Sequence, residues 1–186
     1  MAEEPKTLKF GSREASVTEL DIVKRSNEFP FVRQTSIEND FCGWLADQVT
    51  VLHSRQYQLL DYDAIAEELE ETGRRERDAL VSDLEVALRH MLKLAYEERE
   101  TERTRNERQW KLDLTEHRNR ANDILDRSGS LASKFDEFNQ KAYERARRLA
   151  GIAIAADQEP IGPLECPWSK KQILDDDFFP TPAGKP

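Results

Sequence analysis

The stretch DAIAEELEETGRRERDALVSDLEVALRHMLKLAY, Asp63 to Tyr96, decides the fold. Ile65, Leu69, Leu80, Leu84, Leu88, Met91 and Leu94 fall on helical spacings, so one face is apolar and the other charged. Asp63 is expected to cap this helix, since its carboxylate can accept a bond from an orphan amide, and Glu67 adds negative charge near the positive helix end. Gly73 costs roughly 1 kcal/mol relative to alanine in a helix interior, so a kink or break is expected there.

The same period extends to both sides. From Ser36 onward Ile37, Phe41, Trp44, Leu45, Val49 and Leu52 draw one apolar stripe, the first helix of a bundle. Glu97 to Arg108 alternates acids and arginines without an apolar residue, and reads as a solvated helix end or a charged connector outside the core. Trp110, Leu114, His117, Ala121 and Ile124 predict a third helix that stops at Ser128-Gly129-Ser130, with Ser130 capping the next helix. Leu131, Phe135, Phe138, Ala142, Ala146, Leu149 and Ala153 line that fourth helix. Beyond Gln158 the chain is rich in Pro and Gly, interrupted by one short helix opened by Ser169.

The expected fold is therefore all-α: a helical bundle of about four main helices plus a short C-terminal helix, with an extended N-terminal arm. Residues 1–35 form the arm, 36–158 the bundle, and 159–186 a tail whose short helix packs on the bundle. A chain of 186 residues suits one domain. Charged residues make up 35% of it and hydrophobic ones 38%, a balance that favours helices with broad solvated faces over a sheet. The net charge of -9 repels a phosphate backbone and argues against nucleic acid as a partner. Cys42 and Cys166 lack any paired spacing and read as free thiols. No segment resembles a signal peptide or a membrane span, so a cytoplasmic location without membrane attachment is expected.

A family resemblance rests on several short pieces in a fixed order. They are Asp40-Phe41-Cys42-Gly43-Trp44-Leu45, Ala66 to Arg77, His90-Met91-Leu92-Lys93-Leu94, Trp110 with Arg118, and Ser128-Gly129-Ser130-Leu131. Tyr143 with Ala146-Arg147, Cys166-Pro167-Trp168, Leu174-Asp175 and Phe178 to Pro180 complete the set. Together they make the span from about Glu38 to Pro180 similar to the bacterial family known as domain of unknown function 29. The resemblance implies an all-helical fold and assigns no activity.

Two kinds of functional residue stand out. Glu67, Glu68 and Glu71, with His90 and His117, are the residue types a metal-assisted hydrolase or nuclease would place between helices, Glu67 and Glu71 as metal ligands and His90, His117 and Glu68 as catalytic groups. A di-metal bundle would use Glu-x-x-His, and none of His53, His90 or His117 has a glutamate three residues before it. Ion pairing explains the glutamates more simply, and a hydrogen-bonded core position explains His117, which has Asp113 one turn away. There is no Gly-rich phosphate loop, nucleophile elbow or metal box, and no cofactor is expected. The second kind is aromatic: Phe29 and Phe31 in the arm, and Phe178 and Phe179 in the tail, are apolar islands in polar surroundings of the sort that engage a partner. The sequence thus points to a protein-binding or adaptor bundle, engaging another protein or itself, ahead of an enzyme.

Overall fold

Short polar side chains set most of the helix starts. A computed structural model describes residues 35–155 and 157–182, and the expectations for the arm, including partner roles for Phe29 and Phe31, lie outside the described residues. The chain divides into two compact units, Met1–Ala64 and Ile65–Pro186. All regular elements among the described residues are helical.

In the first unit, helix α1 (Phe41–His53) begins where the Asp40 carboxylate accepts the Gly43 amide at 2.9 Å. A 3-10 turn, Tyr57–Leu59, comes next. The buried Gln48 side chain then accepts the Asp61 amide at 3.0 Å, which ties the end of this connection back to α1.

Helix α2 (Tyr62–Tyr96) starts one residue before the expected cap. Asp61 accepts the Ala64 amide at 3.2 Å, because a capping carboxylate must lie just outside the helix, and Asp63 falls within the first turn. The helix runs through Gly73 without a break. Ion pairs from Glu71 to Arg74 (2.7 Å) and Arg75 (3.1 Å) bridge this turn, and one glycine's intrinsic cost does not overcome a helix of 35 residues. The apolar stripe, however, is buried only from Leu80 onward; Leu69 is 69% exposed.

The turn after α2 is built by charge. Glu97, itself buried, accepts the Arg99 amide at 3.0 Å and its guanidinium at 2.9 and 2.8 Å, and these bonds hold the carboxyl below its usual range. Helix α3 (Glu100–Arg127) therefore begins ten residues before Trp110, and most of the charged run expected to be a helix end or connector is its first turns. Ser128, not Ser130, caps the next element, accepting the Leu131 amide at 3.4 Å. The stretch read as a fourth helix is split into α4 (Gly129–Ala132) and α5 (Phe135–Ile154), since the chain turns at Ser133 and Lys134. Helix α6 (Lys170–Leu174) carries a capping box of Ser169 and Gln172.

The core of the second unit gathers Leu80, Leu84, Leu88 and Met91 of α2, Leu114 and Ala121 of α3, Tyr143 and Ala146 of α5, and Ile173 of α6. The C-terminal segment is held to it by side chains that bond its backbone. Arg147 donates to the carbonyls of Ile161 (3.1 Å) and Gly162 (2.9 Å), and Tyr143 to that of Pro163 (3.0 Å). Arg118 donates to Ile173 (2.7 Å) and Gln172 (3.2 Å), and Asn122 to Leu174 (3.0 Å).

Candidate functional site

Two arrangements carry the residues singled out by their chemistry, one in each unit. In the second unit, α2 and α3 run antiparallel through a short turn, which sets Asp83 and His90 of one helix against His117 and Asp113 of the other. His117 Nδ1 lies 2.7 Å from Asp83 Oδ1, so its carboxylate partner comes from the neighbouring helix rather than from Asp113 one turn away. Asp113 instead lies 3.5 Å from His90 Nε2 and accepts a bond from Gln109 at 2.8 Å.

His90 is buried, and its Nδ1 has no hydrogen-bond partner among the described residues. Burial, assisted by the positive charges of Lys93 and Arg89 and by His117, lowers its pKa to about 4 against the pull of Asp113, so the ring is neutral at pH 7. Lys93 is likewise lowered, first by burial and then by Arg89, and its ammonium sits 5.7 Å from the centre of the Trp110 ring. These groups form a polar seam between two helices.

The seam has a consequence for acid stability. The unfolded chain takes up a proton on His90 near pH 6.5, whereas the folded chain resists until about pH 4, so the folded state loses ground as pH falls between these values. A loss of about 2 kcal/mol between pH 7 and pH 5 is expected from this residue. Urea unfolding across that range should show the decline in the wild type and a flatter profile in His90→Leu. An equal decline in both would assign the effect elsewhere.

The glutamates named beside these histidines do not join them. Glu67 and Glu71 lie 23 and 19 residues before His90 on the same helix, or roughly 35 and 28 Å along its axis at 1.5 Å per residue. Glu71 is spent on Arg74 and Arg75, and Glu68 is half-buried near the start of α2. Among the described residues no three His, Cys, Asp or Glu side chains are grouped to hold a metal ion. Phe178 and Phe179 are half-buried and pack against the core. The Phe179 ring lies under Lys111 at 5.3 Å and Arg118 at 5.6 Å, so this aromatic already has cationic partners within its own chain. Burial raises the Cys166 thiol above its usual pKa, which disfavours the nucleophilic thiolate.

The first unit presents a different surface. Helix α1 buries Trp44, Gln48 and Val51, whereas Phe41, Leu45, Val49 and Leu52 are 42–47% exposed. The stripe read as one core face is thus two faces, because the intervals from Phe41 through Leu45 and Val49 to Leu52 trace a ridge beside the buried one. Among the described residues, eleven large hydrophobics are exposed, and seven of them, these four with Tyr57, Leu59 and Tyr62, fall in this unit. The other four, Leu69, Leu112, Ile152 and Leu164, are spread over the second. Phe41 stacks on Trp44 with ring centres 5.9 Å apart, and the Tyr62 hydroxyl donates to the Tyr57 carbonyl at 2.9 Å, so two aromatic members of the set are held in place.

Periodicity located the α1 stripe but not its exposure, since a ridge that faces solvent and one that faces a core have the same spacing. The absence of charge on the ridge was the available signal. A family model described as Domain of unknown function DUF29 matches residues 37–179, a span that takes in both arrangements. No curated protein and no solved structure matches the chain.

Proposed function

From the premise that the chain belongs to the DUF29 family, whose description assigns no activity, we propose that it is a protein-binding module acting in the cytoplasm through the exposed apolar face of α1. The observation that carries this reading is the concentration of exposed apolar side chains on one helix of a strongly acidic chain. Scattered apolar residues are normal on a surface, but four on successive turns of one helix, beginning with a phenylalanine stacked on Trp44, have the composition of an interface centre. The free thiols of Cys42 and Cys166 accord with a reducing compartment.

The second unit, on this reading, is the scaffold, and its His–Asp pairs fix the register of α2 against α3. This reading is preferred to a metal-assisted hydrolase because Glu67 and Glu71 lie far from His90 along α2, whereas such a site would bring them together.

The test is affinity capture with the intact protein and with Leu45→Glu/Val49→Glu. Both positions are exposed, so the helical spectrum and the thermal midpoint should be retained. Recovery of the bound protein should fall at least tenfold, since a buried unpaired carboxylate costs more than the ~1.4 kcal/mol that a factor of ten requires. Equal recovery by both forms would remove α1 from the recognition surface.

A further inference from the structure

We infer that the first half of α2, Tyr62 to Ala79, is a hinge that unwinds and re-forms while the second half stays locked in the core.

Burial divides the helix in two. All ten buried residues of α2 lie between Leu80 and Ala95, and none of the 18 residues from Tyr62 to Ala79 is buried. Tyr62 is 61% and Leu69 69% exposed, whereas Leu80, Leu84 and Leu88 are fully buried. The neighbouring helix runs out as well. Helix α3 lies antiparallel to α2, with His117 beside Asp83, and its last residue, Arg127, reaches Glu76 at 3.2 Å in an exposed pair. The fourteen residues of α2 before Glu76, about 21 Å of helix at 1.5 Å per residue, extend beyond that end of α3.

The bonds on this stretch are local. Tyr62 donates to the Tyr57 carbonyl, Asp61 accepts the Ala64 amide, and Glu71 pairs with Arg74 and Arg75. Exposed pairs of this kind contribute little and are weakened by salt. A helix of about 12–15 residues is marginal in water unless one face is buried. Gly73 makes opening easier still, and packing does not require a glycine there, because a Cβ would meet only the end of the Arg77 side chain, at 3.5 Å. Glu67, Glu68, Glu70 and Glu71 act the other way, since negative charge near a helix start favours the closed form.

The balance is a segment that is helical at rest and opens at little cost, joined to one that opens only with the core. The division between the two compact units falls at Ala64, so the hinge is the stretch of chain by which the core continues into the first unit.

The test is native-state hydrogen exchange of the full chain, read by mass spectrometry on peptides from both halves of α2. After allowance for intrinsic rates, amides of Glu67 to Ala79 should exchange at least ~100-fold faster than those of Leu84 to Leu94. Urea at ~1 M should speed the second set about fivefold or more and leave the first nearly unchanged, because sensitivity to denaturant follows the surface exposed on opening and the hinge exposes almost none. Gly73→Ala should slow the first set by about three- to fivefold. Even protection along α2, an equal response of both sets to urea, or a Gly73→Ala variant whose first-half amides exchange like those of the wild type would overturn the inference.

Discussion

Gly151→Ala is expected to destabilise the protein by about 3–4 kcal/mol, although glycine to alanine inside a helix ordinarily stabilises by up to about 1 kcal/mol. Gly151 lies near the end of α5, and a Cβ there would fall 1.9 Å from the Glu159 carbonyl oxygen and 2.7 Å from its carbon. Both contacts are to backbone, so no side-chain rotation relieves them. The segment would have to lift away, and with it would go three sets of bonds: Ile161 to the Arg147 carbonyl, Arg147 to Ile161 and Gly162, and Tyr143 to Pro163. Gly73→Ala supplies the contrast, because a Cβ at that position meets only the flexible end of Arg77, at 3.5 Å. It should stabilise by roughly 0.5–1 kcal/mol. Urea unfolding of the two variants should give shifts of opposite sign. A neutral Gly151→Ala would show that residues 157–160 do not cross α5 where described.

Arg118→Ala should cost about 4 kcal/mol, and Arg118→Met about 2 kcal/mol less than that, because it refills most of the space. Arg118 is the largest fully buried side chain, and burial lowers its pKa to about 10, which leaves it charged at neutral pH. Its guanidinium meets the last carbonyls of α6, Gln172 and Ile173, where a cation is favoured by the helix dipole, and lies over the Phe179 ring. Two opposing effects decide the sign. Removing a buried charge relieves a desolvation penalty, yet it also strands two carbonyls and, in the alanine variant, leaves a cavity of about 80–90 Å³ at ~24 cal/mol per Å³. Charge-assisted bonds at ~1.5–3 kcal/mol each outweigh the relief. Denaturant titration measures the ordering, and limited proteolysis should show the C-terminal segment cut first in Arg118→Ala. Equal stability of wild type and both variants would mean that the segment is held without Arg118.

Helix content and order were legible because periodicity reports which residues share a face. It does not report what that face meets, and the departures arise from this. Leu69 and Phe41 occupy stripe positions as regular as Leu84, yet they face solvent. Both caps were displaced by two residues, from Asp63 to Asp61 and from Ser130 to Ser128, since neighbouring short polar residues are equivalent until the backbone selects one. The charged run at Glu97 to Arg108 is external apart from Glu97, as its lack of apolar residues implies, and helix propensity and paired charges make most of it the solvated start of α3. In the candidate sites, sequence found His90 and His117 and paired His117 with the wrong carboxylate, because Asp83 is 34 residues away and only helix packing brings it close. The clamping of a distant backbone by Arg118 and Arg147 depends on tertiary contacts that no local pattern encodes.

The central claim is that the ridge of α1 is a protein-binding surface, and site-specific photo-crosslinking in the native host tests it most directly. A photoreactive residue at Val49 should yield a protein adduct of discrete mass. The same residue at Leu164, which is 79% exposed but isolated in the second unit, should yield none. Adducts at neither position, or the same adducts at both, would contradict the claim.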